Sequence, residues 1–369
     1  MKMGYCGIIF LIIGYALVPF IAMVVYFHIQ CLKEQELADQ TKFNENFDPL
    51  TTDVNGYSLN FANIGDKHEV FIGINYILIQ SCPCAILKLI NFITGSQDWN
   101  KLDDKDAKKF NTQKVNFIDA RKNPPGSFHD TGFTLIQLDE EPSTKDWRCN
   151  PTTCKEYDID KFHNQMEPYI RELYPDVKRI RWTFNVVRGG SKFMDQPKAV
   201  NAPHLDYHQN RTARVEYHQR YPPYEATYFE FNDTTAFESQ LLMGEENSET
   251  EKLKVLLGVW IPILPDSTVC DNPLAMMDAR TFDGEHQTIS ETHINFGFLM
   301  FHNLGGGIAF NPKQRWYYYP FMTNKEVLVF HQYSEDRFFA NPHTSFANRN
   351  CPKDTANRVS AEMRLALFF

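Results

Sequence analysis

From about Ile180 onward the sequence is a succession of short apolar runs, each closed by Gly, Pro or Asn-Pro, and that punctuation limits what the chain can fold into. The runs at 180–187, 256–263, 294–301, 315–319, 327–333 and 359–369 are short for core helices and end at turn signals. They predict a mainly β fold with flanking helices, a jelly-roll barrel or sandwich whose mouth can house a small ligand. A hydrophobic content of 43% with 14% aromatics supports a core of that extent.

Ahead of these strands, residues 68–179 read as a mixed α/β lead-in. Runs at 115–118 and 132–136 predict strands. The spacing of Tyr157, Phe162, Met166, Ile170 and Leu173 predicts a helix over 156–176, and the charged stretch 96–113 reads as a surface helix. Residues 70–95 are apolar, but Cys82-Pro83-Cys84 interrupts them, so they read as two buried elements. Within the β region, residues 207–254 form a polar, acidic insertion, a lid or a solvated loop. Gly305-Gly306-Gly307 reads as a turn, because it lacks the context of a phosphate loop.

The N-terminus differs from the rest. Residues 7–29 carry no charge and are long enough to cross a bilayer as a helix. Bulky Val24, Tyr26 and Phe27 and polar His28 argue against a cleaved signal. The expectation is a retained transmembrane anchor over 1–30, a polar stalk over 31–67, the lead-in over 68–179 and the core over 180–369. Lys2 before the span and Glu34 and Glu36 beside Lys33 after it favour a lumenal body in the secretory pathway. The glycosylation triplets at Asn210 and Asn232 lean the same way. Cys149 and Cys154 flank a Pro-Thr-Thr turn that a disulfide could close, against the equal alternative of scattered thiols. The net charge of −9, with no Lys/Arg run, argues against a nucleic-acid partner.

Pro203-His204-Leu205-Asp206 is the most informative motif. On an extended strand, i and i+2 share a face, so His204 and Asp206 project together as two of three ligands of a 2-His-1-carboxylate iron(II) site. His343 offers the second imidazole. It is followed by Arg358-Val359-Ser360, in which the guanidinium can bind the distal carboxylate of 2-oxoglutarate while the hydroxyl supports it. His331 is the rival third ligand and His302 a lesser one. His208 continues the face of His204 and Asp206, so a zinc hydrolase-like site from those three stands beside the iron reading. A catalytically inactive, membrane-tethered binding protein is a further alternative.

The chain also resembles the non-haem iron hydroxylase/desaturase family, the gibberellin desaturase-like and cephem 7-alpha-methoxylase-related proteins, over roughly residues 68–369. The similarity rests on Ile118-Asp119-Ala120-Arg121, Phe184-Asn185-Val186-Val187-Arg188, Pro203-His204-Leu205-Asp206 and Asn272-Pro273-Leu274. It continues through Arg315-Trp316-Tyr317-Tyr318, Pro342-His343-Thr344 and Arg358-Val359-Ser360-Ala361-Glu362-Met363-Arg364. The resemblance implies a double-stranded β-helix oxygenase using iron(II) and 2-oxoglutarate to hydroxylate or desaturate a small or lipid-like substrate. It implies His204, Asp206 and His343 as metal ligands, favours His343 over His331, and implies Arg358 as cosubstrate anchor. The family's Trp-Arg-Pro is Trp260-Ile261-Pro262 here. Arg188, Arg280, Trp316 and Tyr318 are candidate pocket residues.

Overall fold

A computed structural model describes residues 54–62, 67–73, 110–142, 159–189, 200–220, 224–226, 253–263, 268–295, 299–334, 340–348, 350–352, 355 and 358–369. The expected anchor at 7–29, Cys82, Cys84, Cys149, Cys154 and Asn232 lie outside them. Among the described residues no helix is long and apolar enough to cross a membrane.

The chain opens with strands β1 (Val54–Ala62), β2 (Lys67–Gly73) and β3 (Phe110–Asp119). A short helix α1 (Phe128–Thr131), strand β4 (Phe133–Gln137) and helix α2 (Ile159–Leu173) follow. Then come β5 (Arg179–Gly189), β6 (His204–Leu205), α3 (Arg211–Arg220), β7 (Tyr224–Ala226) and β8 (Leu253–Pro262). The remaining strands are β9 (Leu274–Met277), β10 (Gln287–Asn295), β11 (Leu299–Ile308), β12 (Trp316–Tyr318), β13 (Glu326–Ser334), β14 (His343–Ser345) and β15 (Val359–Phe368).

These strands form two sheets. One runs β1-β3-β12-β9-β14-β6-β11-β10-β2, with β7 paired to β11; the other runs β4-β13-β8-β15-β5. The mainly β, jelly-roll-like reading of the sequence matches this architecture. The smaller sheet is antiparallel throughout, and its central strands β8 and β13 are buried along nearly their whole length. Such strands need cover on both faces, which explains their unbroken apolar runs. Phe162, Met166 and Ile170 of α2, at one-turn spacing, join the core cluster of Val359, Ala361, Met363 and Leu365 from β15. The intervening Arg358, Ser360, Glu362 and Arg364 have the opposite parity and so face the other way.

Several expectations change. Part of the supposed stalk, Val54–Ala62, is a strand whose Leu59 and Phe61 are buried; the alternation Tyr57-Ser58-Leu59-Asn60-Phe61 is its period-2 signal. Residues 110–113, read within a surface helix, begin β3. The single run at 294–301 is the end of β10 and the start of β11, since Asn295 opposes Met300 in an antiparallel pair. The Gly305–Gly307 triplet lies inside β11 rather than in a turn. Of the insertion 207–254, α3 and β7 are described, and β7 adds to the edge of β11.

Cys270 and Cys351 are joined in a disulfide across 81 residues, just before β9 and just after β14, two strands that pair directly. In the chain-entropy account a loop of this length stabilises by roughly 4–5 kcal/mol. Reduction, or Cys351→Ala, should therefore lower the denaturant midpoint markedly, read from unfolding curves with and without reductant. An unchanged midpoint once both thiols can be alkylated would show that the tie contributes nothing.

Candidate metal centre

Two of the smallest strands build the site. β6 lies between β11 and β14, and in the β6–β14 pairing His204 is the direct partner of His343. Residues opposed in this way on an antiparallel ladder hold their Cβ atoms about 5 Å apart on one face. The two imidazole rings accordingly sit with centroids 4.4 Å apart. Asp206 lies just past the end of β6, at a bend whose backbone carbonyl accepts a 2.8 Å bond from Asn303. Its carboxylate comes within 3.6 Å of His204 Nε2 through Oδ1 and of His343 Nε2 through Oδ2. One ligand atom from each of the three residues lies within 4.8 Å of the other two; among the described residues this is the group able to hold a metal.

Backbone carbonyls set the ring orientations. His204 Nδ1 lies 2.8 Å from Ala202 O, and His343 Nδ1 lies 3.1 Å from Asn341 O. A carbonyl can only accept, so each Nδ1 carries the hydrogen and each Nε2 keeps its lone pair for a metal. Burial, then the neighbouring His343, pushes the pKa of His204 down from 6.5 to about 4, while Asp206 and the Ala202 carbonyl pull it up. That imidazole is neutral at neutral pH, as a ligand must be.

The close approach of β6 to β11 depends on glycine. A Cβ on Gly305 would stand 2.8 Å from the Leu205 carbonyl oxygen.

The imidazoles open on a small, partly open cavity whose wall includes Trp260, Leu274, Phe330, Ser345, Arg358 and Glu362. Arg358 is 2% exposed. Its Nε donates to Ser360 Oγ at 3.0 Å, its Nη1 to Asn272 O at 2.6 Å, and its guanidinium lies 5.1 Å from the Trp260 ring centre. Asn272, which accepts that bond, adopts a left-handed φ of 47°. Ser360 thus braces the guanidinium itself.

Other candidates lie elsewhere. His331 points to the far face of β13, stacked on Phe128 at 4.6 Å, with Nε2 2.5 Å from the Tyr174 hydroxyl and Nδ1 3.0 Å from Gly132 O. His208 does not join the group, and its Nδ1 accepts the Asn210 N–H at 3.2 Å, which leaves the local zinc reading without its third ligand. His302 is buried opposite His293 in the β10–β11 ladder. Arg280 pairs with Asp278 and with Pro125 O, away from the cavity. Trp316 and Tyr318 belong to a separate aromatic core with Phe61, Phe117 and Phe346. The backbone of Arg188 pairs with Ser360; its side chain lies outside the described residues.

Sequence reasoning gave no role to Gln332, Glu362 or Arg364. Gln332 Nε2 donates to Asp206 Oδ2 at 2.5 Å and Arg364 Nη2 lies 3.0 Å from the same oxygen. A usable signal existed, because Arg358, Ser360, Glu362 and Arg364 put polar groups at every second position of an otherwise apolar strand.

A family model described as Oxidoreductase/YMDC permease-like domain matches residues 90–368. Among solved structures, the iron and alpha-ketoglutarate-dependent endoperoxidase NvfI aligns with a TM-score of 0.55 and 16% identity, covering 86% of this chain and 98% of that one. A tryptophan-to-phenylalanine variant of that enzyme aligns at 0.56 with 16% identity, covering 86% and 99%. The same enzyme in a different conformation aligns at 0.55 with 17% identity, covering 86% and 98%. No curated protein matches the sequence.

Gly305→Ala forces Leu205 away from β11, so it should destabilise the fold by about 1–3 kcal/mol, as other strained substitutions do. It should also weaken metal binding, because His204 and Asp206 flank the displaced residue. Unfolding curves and a cobalt(II) titration of the variant check both effects.

Proposed function

The chain belongs to the Oxidoreductase/YMDC permease-like domain family, and on that premise we propose that it is an iron(II)- and 2-oxoglutarate-dependent oxygenase. The observation that carries the reading is the meeting of His204, Asp206 and His343 at a cavity whose wall also holds Arg358. The donor set fits the metal: two imidazoles and one carboxylate suit iron(II) and leave coordination positions open. The solved neighbours carry the same pair of cofactors in their names. The substrate is a small or lipophilic organic molecule, hydroxylated or desaturated at a C–H bond.

His204 and His343 would hold the metal through Nε2 and Asp206 through its carboxylate. When bound, iron(II) with 2-oxoglutarate and oxygen supplies the oxidising chemistry; the protein supplies ligation and orientation. A buried guanidinium suits the far carboxylate of the cosubstrate, and the Ser360 and Asn272 contacts fix the direction in which Arg358 points. Trp260, Leu274 and Phe330 give the cavity an apolar wall.

We further propose that residues 7–29 anchor the chain in a membrane with its body in the lumen of the secretory pathway. The Cys270–Cys351 disulfide supports an oxidising compartment. Asn210, exposed at the start of α3, supports an accessible glycan site.

Anaerobic addition of iron(II) and 2-oxoglutarate should produce a visible charge-transfer band that is lost in Asp206→Ala and His343→Ala. His331→Ala should keep the band and lose stability instead. Arg358→Ala should raise the 2-oxoglutarate concentration needed for the band by about tenfold or more, the loss of a charge-assisted bond. A band that survives His343→Ala and vanishes in His331→Ala would sink the ligand assignment.

A further inference from the structure

We propose that Arg364 is a positioning residue for the metal centre: held by Tyr207 and Glu362, it fixes the rotation of the Asp206 carboxylate. The proposal rests on the reading of His204, Asp206 and His343 as metal ligands.

Asp206 lies just past the end of its strand. β6 ends at Leu205, so the carboxylate hangs from a bend, and a carboxylate on such a bend can turn about its own bonds. Two donors oppose that rotation. Arg364 Nη2 stands 3.0 Å from Oδ2, and Gln332 Nε2 donates to the same oxygen at 2.5 Å. Both reach across from the five-stranded sheet, Arg364 on β15 and Gln332 on β13. Held in that rotation, the carboxylate keeps Oδ1 3.6 Å from His204 Nε2 and Oδ2 3.6 Å from His343 Nε2.

The guanidinium is itself fixed. Its Nη1 donates to the Tyr207 hydroxyl at 2.8 Å, its Nη2 lies 3.5 Å from Glu362 Oε1, and its centre lies 5.2 Å from the Tyr207 ring centre. A planar fork holds a hydroxyl and two carboxylates at set angles, whereas the three donors of an ammonium rotate and fix no such geometry. Tyr207 follows Asp206 directly in the chain, so Arg364 grips the ligand and its neighbour together. Glu362 lines the cavity, which ties the orientation of Asp206 to the wall where a ligand would sit.

Two effects of Arg364 oppose each other. Fixing the carboxylate favours metal binding, whereas drawing charge from it weakens the donor. Loss of an outer partner of a metal ligand commonly costs about 10–100-fold in metal affinity, so orientation should win.

The test is a cobalt(II) titration of the metal-free full chain, followed through the visible bands of the bound ion, for the parent, Arg364→Met, Arg364→Lys and Gln332→Leu. Arg364→Met should bind cobalt(II) about 10–100-fold more weakly, Gln332→Leu less so, and Arg364→Lys should recover part of the loss. The thermal midpoint of each metal-free protein is recorded alongside. A purely structural Arg364 would lower those midpoints and leave cobalt(II) affinity unmoved. If Arg364→Met does not fold, Arg364→Lys and Gln332→Leu decide the question. Parent-like or tighter affinity in both folded variants overturns the proposal while leaving the metal centre standing. A parent chain whose cobalt(II) binding does not depend on Asp206 overturns the metal-centre reading, and this proposal with it.

Discussion

One pairing in the larger sheet, His343 opposite His204, is the constraint on which the candidate centre depends. A slip of one residue on either strand would turn an imidazole to the opposite face. The register is guarded on both sides. β6 is only two residues long, but β11 approaches it closely because Gly305 has no side chain. β14 is held by β9, whose flank is tied to it through Cys270 and Cys351.

The two sheets divide the work. The larger presents the imidazoles and Asp206. The smaller presents a polar line along β15, from Arg358 through Glu362 to Arg364, together with Gln332 from β13. Burying charges between sheets costs solvation that their mutual attraction repays only in part. An apolar filling of that space would have been easier to stabilise. The polar line is thus better understood as chemistry than as support, with Arg358 directed at the cavity and Arg364 at Asp206.

Much of the fold was legible because strands leave a period of two in the sequence. β5, β8, β12, β13 and β15 lie close to the runs that foretold them. The failures have physical causes. The run at 294–301 hides a change of strand, since the end of β10 and the start of β11 are both apolar. Val54–Ala62 alternates correctly but sits in a polar setting that outweighed it. The glycine triplet read as a turn because its use, the admission of a neighbouring backbone, exists only once β6 is beside it. Cys270 and Cys351 are 81 residues apart, and nothing local could pair them.

The sequence by itself determined the donor types and their order: the His204/Asp206 pair, a later histidine, then the Arg358/Ser360 pair. It also determined the mainly β class, through short runs that no helix could use. The family resemblance favoured His343 as the later histidine, but the physical reason that it and not His331 reaches the pair lies in the tertiary structure. His331 and Gln332 are neighbours on β13, yet His331 turns outward to Phe128 and Tyr174 while Gln332 turns inward to Asp206. Consecutive residues on a strand face opposite ways, and which way is inward is fixed by what packs on each side of the sheet, a fact that no local pattern contains.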